Sequence, residues 1–295
     1  MEVIISNKYK LGKTLGEGSF GKIFEGININ TNEKIAIKIE KKNSNSEKSL
    51  LRHEGNIYNR CKEIKGIPNI KSFGVEGNYV YMVMERLGSS IDELREKCGG
   101  KLNLRTVLTL AIQLISRLEN LHNIGIIHRD LKPDNLLVGL GSNRRIIYLI
   151  DFGLAKYYID SSGKHKAIIR DKNLTGTIRY ASLNVQDGIE ASRRDDLESL
   201  GYICIYCLKG GLPWQTISHT SADTKEKKYD SIKTMKREIE LINLCSNIPL
   251  EFMIYLNYCR ILKYDETPNY NYLKNLFFNL YKLNGFNSND EFEWF

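Results

Sequence analysis

Residues Gly16-Glu17-Gly18-Ser19-Phe20-Gly21 form a G-x-G-x-x-G string. Its glycines would let backbone N–H groups approach phosphate oxygens with no Cβ in the way. Dinucleotide-binding folds use the same string, but there it closes a strand and opens a helix. Here it runs into KIFEGINI, which alternates like a strand. The glycines therefore read as the turn of a hairpin, and Glu40, near where a ribose-binding acid would stand, reads as a decoy. Lys38 follows in Ile35-Ala36-Ile37-Lys38. A lysine on so apolar a strand is costly to bury unless it meets an anion, and Glu54 can supply a partner carboxylate. Taken singly, the string is an ordinary turn and Lys38 an edge-strand lysine. Taken with Glu54, they favour a site for the phosphates of ATP.

These residues require particular elements beneath them. Strands are predicted over 9–15, 22–29, 34–40 and 79–85, between Gly, Asn and Thr punctuation. Residues 41–49 read as a polar loop. Leu50, Glu54, Ile57, Tyr58 and Cys61 recur at three- and four-residue spacing, which predicts a helix over 50–61. Beyond residue 90 helices dominate, over 107–120, 195–208, 250–262 and 270–283, with a short strand at 146–150. The second of these helices is apolar nearly all round at its C-terminal half and should be central. The pattern predicts an α+β chain, a small sheet-rich N-terminal lobe with one helix and a larger, mainly helical C-terminal lobe. Small ligands tend to bind in the cleft of such a pair.

The densest string is His128-Arg129-Asp130-Leu131-Lys132-Pro133-Asp134-Asn135, and Asp151-Phe152-Gly153 begins 16 residues past Asn135. Through these H-R-D-L-x-x-x-N and D-F-G signatures the chain resembles the protein kinases. The resemblance implies one bilobal kinase domain over 1–295, with N-lobe 1–85, hinge 86–88 and C-lobe 89–295. Kinase chemistry needs cradled phosphates, positioned metals and an oriented hydroxyl. By the same resemblance Gly16, Gly18, Gly21 and Lys38 serve the ATP phosphates, and Glu54 pairs with Lys38. Asp130 accepts the substrate hydroxyl proton, and Asn135 and Asp151 hold two Mg²⁺ ions. Lys132 steadies the γ-phosphate, a placement typical of Ser/Thr kinases, and Thr177 bridges Asp130 and Lys132. Met84 is the expected gatekeeper. Glu85 and Leu87 would present hinge backbone groups to adenine, with Ile23 and Ala36 above the ring and Leu137 and Ile150 below it. His128 is expected to pack structurally, Asp134 to be a solvated acid, and Asp196 to brace the catalytic loop.

The activation segment lacks Ala-Pro-Glu and instead reads LTGTIRYASLNVQDGIEASRRDDLESLGY from Leu174 to Tyr202. That string, with Leu212-Pro213-Trp214-Gln215, YLNYCR from Tyr255 and DFGLAKY from Asp151, resembles the casein kinase 1 family. The family phosphorylates Ser or Thr downstream of an acidic or already phosphorylated residue. Arg179 and Lys228 match its anion pocket, where a guanidinium and an ammonium suit phosphate oxygens. Thr216 stands at the third position, usually Gly, and the loop between Thr216 and Lys228 is longer than usual. Arg129 would also face an anion. Ser161, Ser162 and Thr175 lie in the activation segment, yet the resemblance implies constitutive activity. No regulatory tail, and so no tail autoinhibition, is expected.

The net charge of +8 over 295 residues favours anionic partners without choosing among them. No apolar run approaches a membrane span, no signal peptide is evident, and six spaced cysteines predict buried free thiols in a reducing compartment. A cytoplasmic or nuclear monomer acting on protein substrates is expected. Nucleic-acid binding is not expected, since the 17 tyrosines and 10 phenylalanines fall mostly in periodic core segments. Rival readings are a kinase of another substrate class, which would want acids around its groove, and a pseudokinase scaffold, which would lack Lys38, Asp130, Asn135 or Asp151. All four are present.

Overall fold

Strand Lys34–Lys41 carries four consecutive buried residues, Ile35, Ala36, Ile37 and Lys38, so it must be covered on both faces. A computed structural model describes residues 3–18, 21–42, 49–217, 224–287 and 291–295. Its contacts divide the chain into two units, one of residues 1–89 with 137–155, the other of 90–136 with 156–295.

In the first unit the strands are β1 (Ile4–Ile5), β2 (Tyr9–Gly18), β3 (Gly21–Asn28), β4 (Lys34–Lys41), β5 (Ile70–Glu76) and β6 (Tyr79–Glu85). They form one antiparallel sheet in the order β1-β2-β3-β4-β6-β5, which makes β4 central. Alternation then sorts the side chains. Ile35 and Ile37 join Ile5, Tyr9, Tyr81 and Val83 in a core on one face. Lys38 stands opposite Met82 in register, on the other face. Helix α1 (Leu50–Cys61) covers that face, capped by Ser49, whose Oγ accepts from Arg52 N at 3.2 Å. Gly55 permits the approach, because a Cβ there would lie 3.1 Å from the Phe73 ring. Farther along the chain, β8 (Leu136–Val138) and β9 (Ile147–Leu149) pair as a short two-stranded sheet. Backbone bonds tie residues 137–155 to this unit: Gly88 N donates to Val138 O at 2.8 Å and Leu149 N to Gly66 O at 2.8 Å.

The second unit is mainly helical: α2 (Ile91–Lys97), α3 (Leu104–Asn123), α4 (Leu183–Gln186), α5 (Arg193–Lys209), α6 (Lys225–Glu238), α7 (Leu241–Leu244), α8 (Leu250–Ile261) and α9 (Tyr270–Leu283). Strands β7 (Ile126–Ile127) and β10 (Lys156–Tyr157) pair antiparallel. Helix α5 is buried from Arg193 through Cys207 and packs against α3 and α8, the central place its apolar sequence predicts. It ends on Gly210, whose φ of +81° suits glycine. All six cysteines are free, five of them buried. Among the described residues, no helix is long and apolar enough to cross a membrane.

Candidate active site

The first unit gathers one group of candidate residues. Strands β2 and β3 pair with Gly18 opposite Gly21, so the glycine string is the turn of a hairpin and does not open a helix. Its Ser19 and Phe20 lie outside the described residues. Gly21 has φ +124°, and a Cβ there would fall 2.3 Å from the Ile39 carbonyl oxygen, so only glycine fits. Gly16 has open space where a Cβ would be.

Lys38 Nζ donates to Glu54 Oε2 at 2.7 Å and to Asp151 Oδ1 at 3.1 Å. Lys38 is 6% exposed and Glu54 1%, so this pairing is what makes their burial tolerable. Burial alone would lower the Lys38 pKa, but Glu54 and then Asp151 outweigh it and raise it, holding the amine charged. Burial pushes the Glu54 carboxyl up to about 7, against the pull of Lys38 and with added repulsion from Asp151. Asp151 adopts φ +66°, and its amide donates to Tyr58 Oη at 3.1 Å. Tyr58 also meets the Phe152 ring edge-on at 4.9 Å.

The expected adenine residues also belong to this unit. Ala36 pairs with Met84 and Ile23 with Lys38 across the sheet. Ala36 and Leu87 are buried, while Ile23, Met84, Glu85, Leu137 and Ile150 are half-buried. Glu85 N donates to Asn69 O at 3.2 Å, and the Leu87 carbonyl accepts from Arg86 Nη1.

The second unit gathers the other group around Asp130, which is 7% exposed. Its Oδ1 accepts from Thr177 N and Thr177 Oγ1, both at 2.8 Å, and its Oδ2 accepts from Lys132 Nζ at 3.0 Å. Asn135 Nδ2 donates to the Asp130 carbonyl at 2.9 Å, which commits the amide nitrogen and leaves Oδ1 as a hard oxygen donor. Asp151, in the first unit, offers the same kind of donor. Carboxylate and carboxamide oxygens fit a divalent cation such as Mg²⁺. Gly176 precedes Thr177 at φ +86°, where a Cβ would sit 2.3 Å from the Arg129 carbonyl oxygen.

Asp196 braces this group from α5. Its Oδ2 accepts from His128 N at 2.7 Å and lies 3.1 Å from His122 Nε2, and its Oδ1 accepts from Arg129 N at 2.9 Å. Burial would raise the Asp196 pKa, but the His122 and backbone bonds outweigh it and hold the carboxyl low. His122 Nδ1 lies 2.7 Å from Tyr270 Oη. Burial drives the His122 pKa down, and a neutral ring with the proton on Nε2 satisfies both partners. His128 is fully buried and Asp134 exposed, as the sequence predicts.

Arg179 is half-buried, with Cζ 5.8 Å and 5.9 Å from the ring centroids of Tyr180 and Tyr206. Lys228 is half-buried near the start of α6. Residues 218–223 of the loop before α6 lie outside the described residues. Thr216 is exposed and donates through Oγ1 to Pro213 O at 2.8 Å. Arg129 faces an anion, and it is internal: Glu190 accepts from Arg129 Nη1 at 3.4 Å and Lys156 Nζ at 2.8 Å, with Lys172 Nζ at 3.8 Å.

Sequence reasoning passed over Tyr58, Glu190 and His122 as partners of the site. Tyr58 was the legible one, lying four residues past Glu54 on the same helix face. The sequence model of the protein kinase domain matches residues 9–267. The chain belongs to the protein kinase family.

Proposed function

We propose that this protein kinase is a serine/threonine kinase of casein kinase 1 type, which transfers the γ-phosphoryl group of ATP to Ser or Thr in acidic or phospho-primed proteins. The reading rests above all on Asp130, each of whose carboxylate oxygens has a separate anchor. Thr177 fixes Oδ1, and Lys132 fixes Oδ2 while placing a positive charge beside it. A carboxylate so held can receive the proton of a substrate hydroxyl as that oxygen attacks phosphorus. Lys132 then stands where charge grows on the γ-phosphate, and a lysine two residues past the base is the Ser/Thr arrangement. Lys38, kept charged by Glu54 and Asp151, would bind the nucleotide phosphates, and the hairpin glycines would bring amides to them.

Asn135 and Asp151 would hold Mg²⁺. When bound, the metal neutralises phosphate charge. Ile23, Ala36, Met84, Glu85, Leu87, Leu137 and Ile150 would receive the adenine. The internal anion Glu190, already shared by Arg129, Lys156 and Lys172, supports activity without phosphorylation of Ser161, Ser162 or Thr175. A monomer working in cytoplasm or nucleus fits this reading.

Arg179 and Lys228 are the proposed recognition cations for the substrate's acidic or phosphorylated residue. The test compares a serine peptide carrying an upstream phosphoserine with its unphosphorylated twin. The wild type should prefer the primed peptide, and Arg179→Ala should cut that preference by roughly ten- to a hundredfold, the value of one charge-assisted contact. Preference intact in Arg179→Ala would show the anion pocket to be elsewhere.

A further inference from the structure

Helix α6 is anchored by a buried lysine, whose pKa burial pulls down to about 7. Of its described side chains only Lys236 is buried, and it is 0% exposed. A lysine in that position is sustained only by good acceptors. Lys236 Nζ donates to the carbonyls of Ile178 at 2.8 Å and Ala181 at 2.7 Å. It also lies 4.9 Å from the ring centroids of Tyr202 and of Trp214. Trp214 Nε1 donates to the carbonyl of Arg179 at 2.9 Å. Two buried side chains from outside the activation segment thus hold three carbonyls of the one turn, 178–181.

The same turn is tied to the residue that holds the base. The amides of Tyr180 and Ala181 donate to the Thr177 carbonyl at 3.0 Å and 3.1 Å. Thr177 in turn makes both bonds to Asp130 Oδ1. Arg179 projects from the middle of the same turn. The donors to the turn therefore bear on two groups proposed to meet the substrate.

We propose that Lys236 and Trp214 are positioning residues for the acceptor substrate, buried donors that fix the 178–181 turn and through it set Thr177 against Asp130 and Arg179 toward the substrate's anion. The inference rests on the function proposed above. It differs from a purely structural anchor in what it predicts for the two substrates, since only the peptide meets this turn.

The experiment is steady-state kinetics of the full chain with ATP and the phosphoserine peptide, for wild type, Lys236→Met and Trp214→Phe. Losing the lysine's bonds should raise the peptide KM about tenfold, and losing the single indole bond about threefold, with the ATP KM within about twofold of wild type. A folded variant that keeps the wild-type peptide KM, with only a lower melting temperature or a lower apparent kcat, overturns the inference. Trp214→Phe keeps a ring in place and decides the matter if Lys236→Met does not fold. A wild type that phosphorylates no serine peptide would instead bring down the reading this inference rests on. A wild type active on the peptide, with both variants at its peptide KM, brings down this inference alone.

Discussion

Arg129 and Asp151 both adopt a left-handed backbone, at φ +70° and +66°, a region that L side chains enter only at a cost. In each case a side chain from a helix accepts the residue's own amide: Asp196 for Arg129 and Tyr58 for Asp151. The strain lies at Asp151, a proposed metal ligand, and at Arg129, the residue before the proposed base Asp130, and its acceptors come from α1 and α5. Glu54 extends the argument to pH. Its carboxyl is pushed up to about 7 while Lys38 stays charged, so the buried ion pair is complete only above that pH. Activity should therefore rise with pH through about 7, and Glu54→Gln should remove that limb along with most of the activity. Stability should move the opposite way. A carboxyl whose native pKa lies above its ordinary value stabilises the fold most when protonated. The wild type should then lose stability relative to Glu54→Gln between about 4.5 and about 7, and thermal melts across that range would show it. Parallel curves for the two proteins would contradict the assignment.

Elements explain why some of this was legible in the sequence and some was not. The longer helices with an apolar stripe or an apolar body fall where the sequence places them: α1 at 50–61 and α9 at 270–283, with α3, α5 and α8 within a few residues at each end. Helix α6 has no such stripe, because its one buried described side chain is Lys236, and nothing in KEKKYDSIKTMKRE marks that lysine from its neighbours. Strand β5 has no buried residue, and its apolar Phe73 and Val75 fall on the exposed side of the alternation, so no apolar face marks it. Short α2, α4 and α7 offer too few turns for a period. The motif residues were readable from spacing, whereas their supports Tyr58, His122 and Glu190 depend on tertiary placement. Helix α5 shows what an element contributes beyond its motif. Asp196 holds two backbone amides of the 128–129 segment, so Asp196→Asn turns an amide NH₂ toward donors it cannot satisfy. The expected loss is roughly 1–3 kcal/mol of stability, with a fall in kcat and little change in ATP KM. Unchanged melting and unchanged kcat would show that the brace is dispensable.

Across the whole molecule, the net charge of +8 resolves into separate tasks. Arg129, Lys156 and Lys172 converge on Glu190, Lys38 lies between two carboxylates, and Lys236 is consumed by backbone carbonyls. These basic side chains are engaged within the chain. Arg179, itself beside the Tyr180 and Tyr206 rings, and Lys228 are the basic residues proposed for an acidic or phosphorylated partner. The candidate residues also divide between the units, the first holding most of the set proposed for the nucleotide and the second the set proposed for the hydroxyl together with Lys132 and Asn135. The central claim is that the hydroxyl is activated at Asp130. Its most direct test is phosphate incorporation from labelled ATP into the phosphoserine peptide by wild type and Asp130→Asn, each with its ATP affinity measured by binding. The wild type should incorporate phosphate, and the variant should lose about 10²–10⁴-fold in kcat with ATP still bound. Equal incorporation by the two proteins, or none by the wild type, would contradict it.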